Sequence, residues 1–144
     1  MRVQALGHVV LKVRNLARAE AFYHGLLGMP VATRWAERGM TFFTLGNHHD
    51  FAIAAVGDDA PAAPGLSPGL AHIAFKVGDS LDDLRAVKRE MDSAGIPQRP
   101  VDHGVSQSLY VSDPDGNVVE LYVDTSDAWK TDPSAVAKVA PLDL

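Results

Sequence analysis

The sequence predicts an α+β fold of two tandem βαβββ modules, whose mixed sheets curve into a barrel around a cleft. Three observations carry this prediction. The segments LGHVVLKV (6–13) and LAHIAFKV (70–77) are near copies with a histidine at the same place. Each is followed by an amphipathic helix and three short strands. A stretch rich in proline, glycine and small residues separates the two modules. The pattern indicates an internal duplication. Each module alone would leave one face of its sheet bare, so the two modules are expected to pack together.

The first module is predicted to span residues 1–57. Its opening strand covers 6–13, and Asn15 is positioned to cap a helix that runs to residue 27. Gly28 follows as the natural end of that helix. Further strands are expected over 30–36, 40–45 and 49–56.

The second module repeats this order over residues 70–124, after a linker at 58–69. A strand over 70–77 leads into a helix over 80–94, capped by Ser80 or Asp79 and ended by Gly95. The remaining strands are expected over 97–102, 106–112 and 117–123, with a tight turn at 113–117. The tail 125–144 is predicted to form either a short arm or a lid, and the 144 residues are expected to form a single domain.

Composition excludes several classes of function. The net charge is −5 with no basic stripe, so nucleic acid is not an expected partner. No apolar run approaches the length of about 20 residues that spans a membrane. The first residues lack the charged and apolar regions of a signal peptide, so we expect a cytoplasmic location. Cysteine is absent, which excludes disulfides and thiolate-bound zinc and leaves nitrogen and oxygen ligands for any metal.

Two histidines and one carboxylate are the strongest candidates for a metal site. His8 and His72 occupy equivalent places in the duplication, and Glu120 lies among apolar residues in the strand NVVELYV (117–123). A buried carboxylate needs a partner or a metal to offset its desolvation. Two imidazoles and one carboxylate form the ligand set that leaves coordination positions open for substrate and oxygen. These three residues are predicted to hold Fe(II), with Mn(II) as the alternative.

The chain resembles the vicinal oxygen chelate superfamily from about residue 5 to 124. The duplicated histidine strands, the pair FY (22–23) before LGM (27–29), and DPDGN (113–117) before Glu120 are all typical of it. A narrower pattern is similar to the signature of extradiol ring-cleavage dioxygenases. In that pattern a histidine (His103) precedes a hydrophobic–tyrosine pair ending at Tyr110, and then come the turn and the glutamate. The resemblance implies an Fe(II)-dependent enzyme that cleaves a catechol with O2, and it implies a homodimer.

The same resemblance implies roles for three further residues. The segment HHDFA (48–52) is similar to the region where these dioxygenases hold an acid–base histidine, which makes His49 the candidate to accept a catechol proton. His103 and Tyr110 would stabilise negative charge on the substrate and on intermediates.

Three alternatives stay open. Aligning the turns at Gly46-Asn47 and Gly116-Asn117 places Asp50, not His49, opposite Glu120. Asp50 would then be a fourth ligand, as in glyoxalase-type sites with two carboxylates. That arrangement would favour a metal-dependent isomerase or lyase. A third alternative is a protein that binds a small aromatic compound or antibiotic without catalysis.

Overall fold

The structure, a computed structural model, describes residues 2–62 and 65–144. Residue 1 and residues 63 and 64, the latter two within the predicted linker, lie outside the described residues. The chain separates into two compact units, Met1–Gly65 and Leu66–Leu144. Each unit is built on one mixed sheet with a helix against it, so the predicted α+β fold class is confirmed. None of the helices in the described part of the chain is long and apolar enough to cross a membrane.

The first unit follows the order βαβββ. Its strands are β1 (Val9–Val13), β2 (Val31–Trp35), β3 (Met40–Phe43) and β4 (Phe51–Ala55). In the sheet they lie in the order β1-β4-β3-β2, with β1 and β4 parallel and the other pairs antiparallel. A short 3₁₀ helix, Ala36–Arg38, joins β2 to β3.

The helix of the first unit changes its winding halfway along. Helix α1 (Leu16–Glu20) begins where the Asn15 side chain accepts a hydrogen bond from the Arg18 amide, 3.0 Å away. The predicted helix over 16–27 then continues as a π-helix, Ala21–Leu26. These wider turns coincide with the burial of both Phe22 and Tyr23.

The second unit repeats the order and adds one strand. Its elements are β5 (Ile73–Gly78), α2 (Leu81–Ser93), β6 (Arg99–Asp102), β7 (Ser106–Ser112), β8 (Val118–Asp124) and β9 (Ala140–Pro141). The sheet order is β5-β8-β7-β6-β9, with β5 and β8 parallel. The tail therefore forms an arm on the sheet edge, with 3₁₀ helices Ala128–Lys130 and Pro133–Val136 leading to β9. Helix α2 starts with a reciprocal cap between Ser80 and Asp83.

Alternation along β7 and β8 divides the second sheet into two faces. Leu109, Val119 and Leu121 are almost fully buried, and α2 packs on this sheet. Tyr110 and Glu120, which alternate with them, project from the opposite face. Polar side chains therefore collect on one face of the sheet.

Both histidine strands start later than predicted. β1 begins at Val9 and β5 at Ile73, so His8 and His72 each lie one residue before the ladder. In the first sheet the parallel partner β4 begins only at Phe51, which pairs with Val9, and in the second sheet the pairing of β5 with β8 begins at Ile73 and Val119. The two imidazoles therefore project from equivalent strand entrances.

Candidate active site

Glu120 forms the centre of a polar cluster in the second unit. Its side chain is 11% exposed, and the Ser108 hydroxyl donates to Oε1 over 2.5 Å. Nε2 of His72 lies 3.1 Å from Oε2. One carboxylate oxygen is thus held by a buried serine, while the other faces an imidazole.

His103 and Tyr110 stand beside this carboxylate. Nδ1 of His103 lies 2.8 Å from the Lys138 carbonyl oxygen, and Nε2 lies 2.9 Å from the Tyr110 hydroxyl. Since a carbonyl oxygen only accepts, Nδ1 carries a proton and donates it to Lys138, while Nε2 forms a hydrogen bond with the tyrosine hydroxyl. The arm after β8 thus fixes Nδ1 of His103 as a hydrogen-bond donor and orients the ring.

Tyr110 stays protonated over the whole physiological pH range. Burial, followed by the negative charge of Glu120 and a hydrogen bond with it, raises the Tyr110 pKa to about 12. The guanidinium of Arg99 acts in the opposite direction, from 4.8 Å over the ring. The phenol is therefore available as a hydrogen-bond donor.

Gly104 lets the arm approach the His103 turn closely. Its φ is +78°, in the left-handed region that favours glycine. A Cβ atom there would lie 2.9 Å from Cδ of Lys138. Any side chain at residue 104 would thus be strained and would push against the residue whose carbonyl holds His103.

Three imidazoles gather in the first unit. The ring centroid of His49 lies 4.0 Å from that of His8 and 4.6 Å from that of His48. One ring nitrogen from each residue lies within 4.8 Å of the others, a group that could hold a metal ion. Desolvation lowers the His49 pKa, and the neighbouring His8 and His48 lower it further, against the smaller opposing effect of Asp50. His49 is therefore neutral near pH 7 and able to accept a proton.

Asp50 closes a turn. Its Oδ2 accepts from the Leu45 amide at 2.6 Å and from the Asn47 amide at 3.4 Å. These bonds fix the chain just before β4, while the ring of His49 faces His8. The carboxylate of Asp50 thus has a structural role in the turn.

The strand register corrects the alignment of the two modules. Val10 pairs with Ala52 in the first sheet, and the equivalent Ala74 pairs with Glu120 in the second. Ala52, not Asp50, occupies the position equivalent to Glu120. The expectation from the two Gly-Asn turns is therefore wrong by two residues, because the first module has two more residues between its turn and its strand position.

In each sheet, paired residues on neighbouring strands form a row of side chains that crosses the sheet. We name the row that crosses the first sheet the apolar row (Val10, Ala52, Phe42, Thr33). The row that crosses the second sheet is the polar row (Ala74, Glu120, Tyr110, Arg99). Directly paired residues project from the same face, so each row presents four neighbouring side chains together.

The structure brings the predicted site residues together in two groups. His72, Glu120, His103 and Tyr110 meet in the second unit, and His8 and His49 meet in the first. The meeting of His8 with His72 stays a prediction. Sequence reasoning missed Ser108, which alternation from Tyr110 could have placed on the same face. It also missed the Lys138 carbonyl, for which the sequence has no signal.

Comparison with known proteins identifies the family of this chain. Residues 5–121 match the model of the Glyoxalase/Bleomycin resistance protein/Dioxygenase superfamily. The chain is 37% identical over 123 residues to biphenyl-2,3-diol 1,2-dioxygenase 3 of Rhodococcus globerulus. This match covers 83% of the chain but only 63% of that relative, less than two thirds of its length.

Other relatives carry other names on the same fold. A lactoylglutathione lyase of Neisseria meningitidis is 29% identical over 119 residues, covering 79% of the chain and 86% of the lyase. The glyoxylase/bleomycin resistance protein/dioxygenase domain from Frankia sp. EAN1pec superimposes with a TM-score of 0.71 at 21% identity. That superposition covers 88% of this chain and 96% of the Frankia domain. The chain belongs to the Glyoxalase/Bleomycin resistance protein/Dioxygenase superfamily.

Proposed function

We propose that this protein is an Fe(II)-dependent extradiol dioxygenase, which opens a catechol ring beside the two hydroxyls and inserts both atoms of O2. The observation that carries the proposal is the inequality of the two sheets. Glu120 has no carboxylate counterpart, because Ala52 stands at the equivalent position and Asp50 is bonded to its own turn. One carboxylate with two histidines supports an oxygenase-type ligand set over the two-carboxylate set of a glyoxalase-type site.

The donor atoms fit a divalent metal. Neighbouring ligand atoms that each lie about 2.1 Å from a metal at a right angle are about 3.0 Å apart. His72 Nε2 and Glu120 Oε2 are separated by 3.1 Å. We propose that His8 completes the set with these two residues, which places Fe(II) first and Mn(II) second among nitrogen- and oxygen-bound metals.

The residues around the metal ligands supply the acid–base chemistry. When bound, Fe(II) supplies positions at which both catechol oxygens and O2 are held together. His49 accepts the proton that a catechol hydroxyl releases, since its lowered pKa keeps it neutral. Tyr110 donates a hydrogen bond to the resulting oxyanion, and His103 holds the tyrosine hydroxyl in place. The reaction needs no external reductant, because both oxygen atoms end in the ring-opened product.

An aerobic assay tests the proposal. Protein loaded anaerobically with Fe(II) is mixed with 3-methylcatechol or 2,3-dihydroxybiphenyl, and oxygen uptake and the yellow product are followed together. We expect one O2 consumed per product formed. An absence of oxygen uptake with iron shown to be bound would overturn the proposal and favour an isomerase or lyase. We also propose a homodimer, which sedimentation equilibrium would detect as twice the mass of the chain.

A further inference from the structure

The polar row extends past the proposed metal ligands to an exposed cation, Arg99. Glu120, Tyr110 and Arg99 are paired one after another across β8, β7 and β6. Adjacent strands lie about 4.8 Å apart, so the backbone positions of Glu120 and Arg99 are separated by about 10 Å. All three side chains project from the same face of the sheet. The row therefore runs from a carboxylate, over a phenol ring, to a guanidinium.

Arg99 is exposed, and its guanidinium stacks on an aromatic ring. Its guanidinium carbon lies 4.8 Å from the centroid of the Tyr110 ring. Within residues 2–62 and 65–144, the structure assigns no carboxylate to Arg99, although other arginines of the chain, such as Arg34 with Glu20, form ion pairs. A guanidinium that stacks on a ring keeps its N–H groups directed outward, available for a planar anion.

We propose that Arg99 binds a carboxylate on the substrate, so that the natural substrate is a catechol bearing a short acidic side chain. This inference rests on the proposed function. The diol end of such a molecule would lie at Glu120 and His72, and its ring would lie beside Tyr110. The carboxylate would reach Arg99 at the far end of the row, because the row has about the length of one aromatic ring with a short acidic arm. A paired guanidinium and carboxylate form two parallel hydrogen bonds, which gives both affinity and orientation.

The first unit offers no such recognition site at the same position. Thr33 stands in the apolar row where Arg99 stands in the polar row. The guanidinium of Arg99 is therefore specific to the polar row and is not repeated in the first sheet. Because of this difference, an effect of Arg99 variants on carboxylate binding would report on the second sheet alone.

The test compares matched ligands and matched variants. The ligands are 3-(2,3-dihydroxyphenyl)propionate and its uncharged amide, with kcat and KM measured for each on the Fe(II)-loaded protein. We expect Arg99→Gln to lower kcat/KM for the acid by about 10- to 100-fold, mainly through KM, and to leave the amide nearly unchanged. Arg99→Lys should recover part of the loss, since it restores the charge without the planar fork. Arg89→Gln, which removes a charge from an exposed site on α2, should leave both substrates unaffected.

Two results would overturn the inference. Wild-type protein that treats acid and amide alike, or an Arg99→Gln loss equal for both, would assign Arg99 only to the support of Tyr110. Calorimetric titration of metal-free protein with 3-phenylpropionate and 3-phenylpropanamide separates this question from the proposed function. A preference for the acid that Arg99→Gln removes would support the carboxylate site even if neither catechol were cleaved, and no preference would contradict it.

Discussion

The apolar and polar rows hold equivalent positions in two sheets of the same topology, yet they carry opposite chemistry. Where the first sheet has Ala52 beside Phe42, the second has Glu120 beside Tyr110. Both units retain a histidine at the strand entrance. The comparison teaches that the βαβββ scaffold determines where side chains project, while a few substitutions in one row decide which unit carries the charge. The first unit groups three imidazoles, whereas the second surrounds a carboxylate with two imidazoles and the hydroxyl groups of Ser108 and Tyr110.

Removal of the Glu120 carboxylate should have the largest effect, because this residue distinguishes the polar row from the apolar row. Glu120→Ala is expected to abolish stoichiometric iron binding and with it all ring cleavage, because no acidic residue replaces it at Ala52. Iron content is measured by inductively coupled plasma mass spectrometry after anaerobic loading. Asp50→Asn is the control and should keep its iron. Full iron occupancy in Glu120→Ala would remove this residue from the ligand set.

Variants of His49 and His48 distinguish a catalytic role from mere membership of the three-imidazole group in the first unit. His49→Ala should retain iron and slow turnover by about 100- to 10,000-fold, the contribution of a general acid–base residue. His48→Ala should leave both properties close to wild type, since His48 bonds mainly to Asn47. Single-turnover kinetics with iron analysis checks both variants. Loss of iron in His48→Ala would instead assign the metal to the three-imidazole group.

A Ser108→Ala variant tests how much the hydrogen bond from Ser108 to Glu120 stabilises the second unit. Ser108→Ala leaves Oε1 of Glu120 without its 2.5 Å donor. A hydrogen bond to a charged group contributes about 1.5–3 kcal/mol, and we expect the metal-free variant to lose stability of that order. Urea denaturation measures this loss. Ser106→Ala, on the same strand and face, is the matched control, and an equal loss there would contradict the assignment.

The smallest effects should come from the two helix caps. Asn15 caps α1 and Ser80 caps α2 through equivalent side-chain bonds. Replacement of either by alanine should lower stability by about 0.5–2 kcal/mol, with iron content and turnover unchanged. Thermal denaturation followed by circular dichroism provides the measurement. A change in turnover in one variant alone would show that the scaffold of that unit is coupled to the chemistry.

The fold was largely predictable because its signals are local. The repeated histidine strands, the Asn15 and Ser80 caps and the alternation of β7 and β8 all depend on residues close in sequence. Strand β7 was predicted with the same bounds that it has in the structure, Ser106–Ser112. The π-helical turns after Glu20 were not predicted, because the periodic pattern of apolar residues does not distinguish them from an α-helix.

The candidate site was predictable only in part. His103 and Tyr110 were assigned to one region, and their side chains do form a hydrogen bond. The alternative that aligned Asp50 with Glu120 was wrong, because equal dipeptides in two turns do not ensure equal loop lengths. The bond from His103 to Lys138 joins residues 35 apart in sequence through a backbone carbonyl, which every residue has. No side-chain pattern could therefore have indicated it.

The arm on the sheet edge has a consequence for heat inactivation. β9 has two residues and pairs with β6 at two positions, so we expect it to open at a low free energy. Its detachment would remove the Lys138 carbonyl from His103, and the imidazole would lose the hydrogen bond that orients it. On slow warming, catalytic turnover should thus decline several degrees before the sheets melt, and it should return on cooling.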